Sequence, residues 1–113
     1  MIYEVRDYHI RPDLFEAYKV WGAIAVPVLR ELFDVVGFWF DDAGLEPEIK
    51  GSDPINAAIG LANVTWIIRW RDKATRDVEL EKAFQSDAWK AVWAQHPDPG
   101  GYLQSSSRFM SAI

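Results

Sequence analysis

The chain reads as an α+β domain, a four-stranded antiparallel sheet with its helices packed on one face. Three observations predict this. Apolar side chains alternate with period two over residues 2–10 and 63–70, the pattern of strands with two unlike faces. The period changes to steps of three and four over 14–33, and helical spacing returns after residue 72. Two shorter strand-like stretches, 37–40 and 102–112, complete the order β, α, β, β, α, β, which is the split βαβ or ferredoxin-like plan.

The first strand, residues 1–12, places Glu4, Arg6 and Tyr8 on one face and Tyr3, Val5, Asp7 and His9 on the other. Pro12-Asp13 then opens a helix whose apolar stripe runs through Leu14, Tyr18, Trp21, Ala25, Val28 and Leu32, widened by Phe15, Gly22, Leu29 and Phe33. Pro27 lacks the amide that would bond the carbonyl of Ala23, so a kink or a break into two helices is expected there. Gly37-Phe38-Trp39-Phe40 is the second strand. Residues 41–62 hold three glycines and two prolines and read as a long loop or lid, with a short helical turn after Asp53-Pro54. In a small domain a loop longer than about 12–15 residues is more often a lid or an interface than a plain connection.

The third strand, Asn63 to Trp70, sets Val64, Trp66, Ile68 and Trp70 against Thr65, Ile67, Arg69 and, just beyond, Arg71. Asp72-Lys73-Ala74-Thr75-Arg76 leads into the second helix, with Val78, Leu80 and Phe84 inward. Ser86-Asp87 reads as a fresh cap, so two helical pieces with a bend are expected. His96-Pro97-Asp98-Pro99-Gly100-Gly101 is turn material before the fourth strand, Tyr102 to Ala112.

Composition narrows the function. With 113 residues, half of hydrophobic type, the chain fits one domain, residues 1–113, with a core that needs no staple. Twelve basic against seventeen acidic residues leave a net charge of −5 with no basic run, which argues against nucleic acid. The absence of cysteine removes thiolate catalysis and thiolate metal sites and agrees with a cytoplasmic setting. No leader pattern opens the chain, and no apolar run approaches the roughly 18 residues that span a bilayer, so no membrane is expected.

Helices on one side leave the other sheet face bare, and six Trp, four Tyr and six Phe supply ample aromatic area. A homodimer with facing sheets is the simplest closed solution. The mixed faces of the first and third strands would line the space between the sheets, with Glu4, Arg6 and Tyr8 opposite Thr65, Ile67, Arg69 and Arg71, and the apolar faces turned to the helices. Glu4 and Arg6 could bind a carboxylate or position a proton with Tyr8, or form a structural ion pair. Arg69 or Arg71 could neutralise Glu4 or hold an anionic ligand, although Arg71, near the strand's end, is more simply solvated and Arg108 in the fourth strand is more simply a structural salt bridge. His96 could be a general base or an axial haem ligand, although a histidine before proline is more simply a cap or turn residue. Trp39, Trp66, Trp70, Trp89 and Trp93 could form an aromatic pocket or pack as core, with Trp39 beside the long loop the one to watch. Two histidines without a spaced carboxylate partner make no metal signature, and no nucleotide fingerprint or hydrolase triad order is present, so neither metal nor cofactor is expected.

The first strand's Glu4-Val-Arg6-Asp-Tyr8 with Pro12, the stripe from Phe15 and Tyr18, Pro27, Gly37-Phe38, Trp70-Arg71-Asp72, Phe84 with Ser86-Asp87-Ala88-Trp89, and Ser107-Arg108-Phe109 together resemble NIPSNAP-type proteins over nearly the whole chain. The resemblance implies a ferredoxin-like dimeric α/β barrel of undefined molecular activity. It departs from this chain in two places. Ile67 stands where the resemblance leads one to expect a histidine, and the 41–62 segment is long. Three functions follow as expectations. The first is a homodimeric NIPSNAP-like barrel whose semi-polar cavity, lined by Glu4, Arg6, Tyr8, Trp39, Arg69 and His96, takes a small organic ligand. The second is a cofactor-independent monooxygenase or isomerase resembling those of antibiotic synthesis, taking a proton from a phenolic or enolic substrate. The third is a protein interaction module using residues 41–62.

Overall fold

A computed structural model of the protein describes residues 1–42, 44–54 and 59–113. The elements are β1 (Ile2–Ile10), α1 (Phe15–Leu32), β2 (Val35–Phe40), β3 (Val64–Trp70), α2 (Lys73–Phe84), α3 (Asp87–Trp93) and β4 (Tyr102–Met110), with single 3-10 turns at Pro12–Leu14 and Pro99–Gly101. The sheet order is β2-β3-β1-β4 with every neighbouring pair antiparallel, the ferredoxin-like α+β plan.

Pro12 starts the turn that leads into α1, where a missing amide costs no helical bond. Tyr18, Trp21, Gly22, Ala25 and Leu29 bury one stripe of α1 against the sheet. Of the two expectations at Pro27, a kink or a break into two helices, the break does not occur: the helix runs continuously from Phe15 to Leu32. Pro27 and Ala23 both face solvent, so water can serve the carbonyl that the proline leaves without a donor.

The expected division of the second helical region is present. Asp72 caps α2 by accepting the Thr75 amide at 2.7 Å, and Ser86 Oγ caps α3 by accepting the Trp89 amide at 3.3 Å. α2 is thinly attached: it fully buries no residue, with Leu80 and Phe84 half-covered and Val78, expected inward, 64% exposed. α3 is held to α1 by the Trp21 indole, whose Nε1 donates to the Val92 carbonyl at 2.9 Å.

Strand register decides which side chains meet. Ile2, Glu4, Arg6 and Tyr8 lie opposite Trp70, Ile68, Trp66 and Val64, and directly opposed residues project to the same side of the sheet. That side is under the helices, since Phe33 at the end of α1 packs on Trp66 and Trp70 at 6.3 and 5.5 Å between ring centres. The expected placement of Glu4, Arg6 and Tyr8 between two sheets is therefore wrong. They share the helix-covered face with the apolar side of β3, while Thr65, Ile67 and Arg69 join Tyr3, Val5, Asp7 and His9 on the open face. Polarity suggested a side away from the helices, and the pairing register overrides it.

The segment between β2 and β3 returns through Asn63, whose amide side chain accepts from the Ile10 amide at 2.8 Å and donates to the Ile10 carbonyl at 2.9 Å. It thus extends the ladder at the end of β1. The helical turn expected after Asp53-Pro54 falls on residues 55–58, outside the described residues. Among the described residues, no helix is long and apolar enough to cross a membrane.

Candidate functional site

β1 carries a carboxylate into the core, and the core is built around it. Glu4 is fully buried. Its Oε1 accepts from Trp70 Nε1 at 3.0 Å and Arg76 Nε at 3.1 Å, and its Oε2 accepts from Arg6 Nη1 at 2.8 Å and Arg76 Nη2 at 2.6 Å. Arg76 thus grips Glu4 side-on through Nε and Nη2, with Nη1 on Asp77, and ties α2 to the sheet. Burial alone would raise the Glu4 pKa, but the Arg76 bonds and the Arg6 charge outweigh it and bring it to about 2. A carboxylate with four donors and so low a pKa is an anchor rather than a base.

Arg6 connects that anchor to a cleft. Its Nε donates to Tyr8 Oη at 2.9 Å, its Nη1 also reaches Ser107 Oγ at 3.3 Å, and its guanidinium lies 5.4 Å from the Trp66 ring centre. Trp66 Nε1 donates to the same Tyr8 oxygen at 2.9 Å. Arg6 and Tyr8 form one wall of a cleft of about 390 Å³ between sheet and helices, a size suited to a small organic ligand. Gly22 and Ala25 are the small residues that line it on α1; a Cβ at Gly22 would come within 2.7 Å of the Phe40 ring, so glycine there lets Phe40 close on the helix. Trp66 and Phe38, stacked with centres 5.4 Å apart, give the sheet side flat aromatic surface, while Trp21, Trp89 and Trp93 close the helix side. The cleft meets solvent at Lys90, Trp93 and Ser105, all exposed.

His96 sits behind this wall, packed between Trp21 and Trp93 with ring centres at 4.4 and 4.6 Å. Its Nδ1 accepts the Asp98 amide at 3.0 Å, which assigns the ring proton to Nε2, the donor to Tyr102 Oη at 2.9 Å. Burial lowers its pKa, against the opposing pull of the Asp98 carboxylate. Both nitrogens are engaged in holding the turn before β4, which accounts for His96 as a turn residue and leaves neither free as a base or haem ligand. Burial likewise raises the pKa values of Tyr18 and Tyr102, whose hydroxyls stay protonated in the physiological range.

Of the six site residues read from the sequence, the structure brings Glu4, Arg6 and Tyr8 together. Arg69 lies on the open face in an ion pair with Asp34 at 2.7 Å, and so cannot neutralise Glu4. Trp39 projects from the open face of β2 and is half exposed, away from the cleft. Arg71 pairs with Asp72, and Arg108 lies 3.7 Å from Asp7 on the open face. Sequence reasoning missed Arg76, Trp21 and Lys90. Nothing in the sequence singles out Arg76, but Trp89, Lys90 and Trp93 at spacings of three and four announce an aromatic helix face edged by a cation. The small residues Gly22 and Ala25, interrupting an otherwise bulky stripe, were the available sign of a cleft. Among the described residues no group of three or more His, Cys, Asp or Glu could hold a metal ion.

Searches with this sequence find no matching family model and no matching curated protein. Solved structures do match. An uncharacterised NIPSNAP domain protein from Burkholderia xenovorans superposes with a TM-score of 0.71 at 16% identity, covering 100% of this chain and 95% of that one. A NIPSNAP family protein from Agrobacterium tumefaciens gives 0.66 at 19% identity, covering 99% and 92%. A putative antibiotic biosynthesis monooxygenase from Caulobacter crescentus gives 0.51 at 16% identity, covering 99% and 89%. The element order, the β2-β3-β1-β4 sheet and these superpositions together show that the chain has the ferredoxin-like α+β fold of solved NIPSNAP-domain structures.

Proposed function

We propose that residues 1–113 form one NIPSNAP-like domain that binds a small organic ligand in the cleft between sheet and helices and works as a homodimer through its open sheet faces. The observation that carries the ligand reading is the cleft itself: about 390 Å³ of aromatic-walled space, lined on α1 by the small residues Gly22 and Ala25, with the Arg6–Tyr8 pair fixed in its wall. A fold with no such need would fill the gap with larger side chains, since interiors pack to crystal-like density. Binding is favoured over proton abstraction as in the monooxygenase reading. Among the described residues no carboxylate or histidine lines the cleft, and Glu4 is spent on its four donors.

The dimer reading rests on the open face, where Trp39 and Met110 are about half exposed and Ile67, partly exposed, extends an apolar patch crossed by Asp7, Arg69 and Arg108. Apolar area interleaved with both signs of charge suits a self-complementary contact. Light scattering is expected to report twice the monomer mass; a value near 12.9 kDa contradicts the dimer.

An aromatic fragment screen followed through the indole N–H resonances tests the ligand reading. Binding in the cleft should move Trp66, Trp89 and Trp93 and leave Trp39, on the opposite face, in place. Hits that move only Trp39, or a screen without hits, would overturn it.

A further inference from the structure

We infer that the ligand is an aromatic anion, a planar ring system bearing a carboxylate or an equivalent oxyanion, with the anion seated on Arg6, Tyr8 and Lys90. This rests on the cleft being a ligand site and names the class it takes. At the Arg6–Tyr8 wall the capacity left over is that of donors. Tyr8 Oη already accepts two bonds, from Arg6 Nε and Trp66 Nε1, so its own proton is left to give, and it donates to no group among the described residues. Arg6 spends Nε and Nη1 on Tyr8, Glu4 and Ser107, while its Nη2 donates to no described residue. A ligand that supplies acceptors completes this wall, and one that supplies donors leaves it unsatisfied.

Charge points the same way. The one carboxylate bonded to Arg6 among the described residues is Glu4, which Arg76 shares through two bonds, at 2.6 and 3.1 Å, and no Asp or Glu among the described residues lines the cleft. Lys90, at the mouth, forms no ion pair among the described residues. The cleft therefore carries an excess of positive charge in a chain whose net charge is −5, so composition does not account for it. Apolar walls strengthen the field of those cations relative to water. The competing reading of an aromatic-lined pocket is a cage for an organic cation. Here the Trp66 face already holds the Arg6 guanidinium at 5.4 Å, and a second cation beside it would be repelled.

Three probes of one shape decide the matter: naphthoate, naphthylmethanol and a naphthylmethyl ammonium, each titrated into the full chain at low salt by calorimetry. Naphthoate should bind at least about tenfold more tightly than the alcohol, and the ammonium most weakly. Lys90→Gln, on the exposed side of α3, should cut that preference severalfold. Arg6→Gln should abolish it; because Arg6 also braces Glu4 and its variant could misfold, the wild-type ranking and Lys90→Gln stand by themselves. If the alcohol or the ammonium equals naphthoate, the anion inference fails and the ligand site survives. If none of the three binds, the ligand site fails and the inference with it.

Discussion

Replacing Glu4 by glutamine keeps the shape of the side chain and an acceptor for Trp70, but removes the charge that two guanidiniums share and turns an N–H toward Arg6 or Arg76. The drop of the Glu4 pKa from its ordinary 4.5 to about 2 corresponds to about 3 kcal/mol, at about 1.4 kcal/mol for each tenfold change in proton affinity. Removing one member of a buried ion pair costs about 3–5 kcal/mol in other proteins, the same range. At neutral pH the variant should therefore melt roughly 10 °C below the wild type. The pH dependence carries a firmer test. The folded chain holds this carboxyl below its unfolded value, so the contribution is complete above about pH 4.5, fades as pH falls, and is gone below about 2. Urea unfolding of both proteins between pH 7 and 2 isolates it, because the other acidic groups are common to both. The gap in stability should be full at pH 7 and nearly closed at pH 2. A gap under about 1 kcal/mol at pH 7, or one that does not narrow in acid, refutes the anchor role.

Three more outcomes follow from the same geometry. Arg76→Met cuts both bonds from α2 to Glu4 and should raise amide hydrogen exchange across α2 well before the sheet exchanges; equal protection in α2 contradicts the tether. Burial keeps the His96 ring neutral, and with its folded pKa below the unfolded value its contribution is present above about pH 6.5 and lost as pH falls through the lowered value. In NMR titration the ring should titrate below 6.5, and a midpoint at or above 6.5 contradicts the assignment. Ser86→Ala removes the cap of α3 and should cost about 1 kcal/mol in urea unfolding, while an unchanged midpoint would place no weight on the cap.

Element order and most boundaries were legible because periods of two and near 3.6 are local properties of the chain, and caps such as Asp72 and Ser86 sit within three residues of the amides they serve. The triad Glu4, Arg6 and Tyr8 was legible for the same reason, since alternation puts the three on one face wherever that face points. Its direction was not. Glu4 can face the helices only because Arg76, 72 residues away, and Trp70 come to meet it, and nothing local to β1 announces either. Assigning the polar face to the side away from the helices was sound as a rule about burial and wrong here, where a saturated ion pair replaces solvent. Trp39 and Arg69 went astray with it, since each strand's alternation was right but the register between strands was not yet available. At Pro27 the local rule allowed a break that the helix does not take, because it turns that residue to water.

A crystal of the protein soaked in naphthoate tests the central claim most directly. Density for the ring system between Trp66 and Trp89, with the carboxylate within hydrogen-bond distance of Arg6 Nη2 and Tyr8 Oη, is the predicted result. An empty cleft with naphthoate in the solvent, or a molecule seated on the open sheet face beside Trp39, would contradict it.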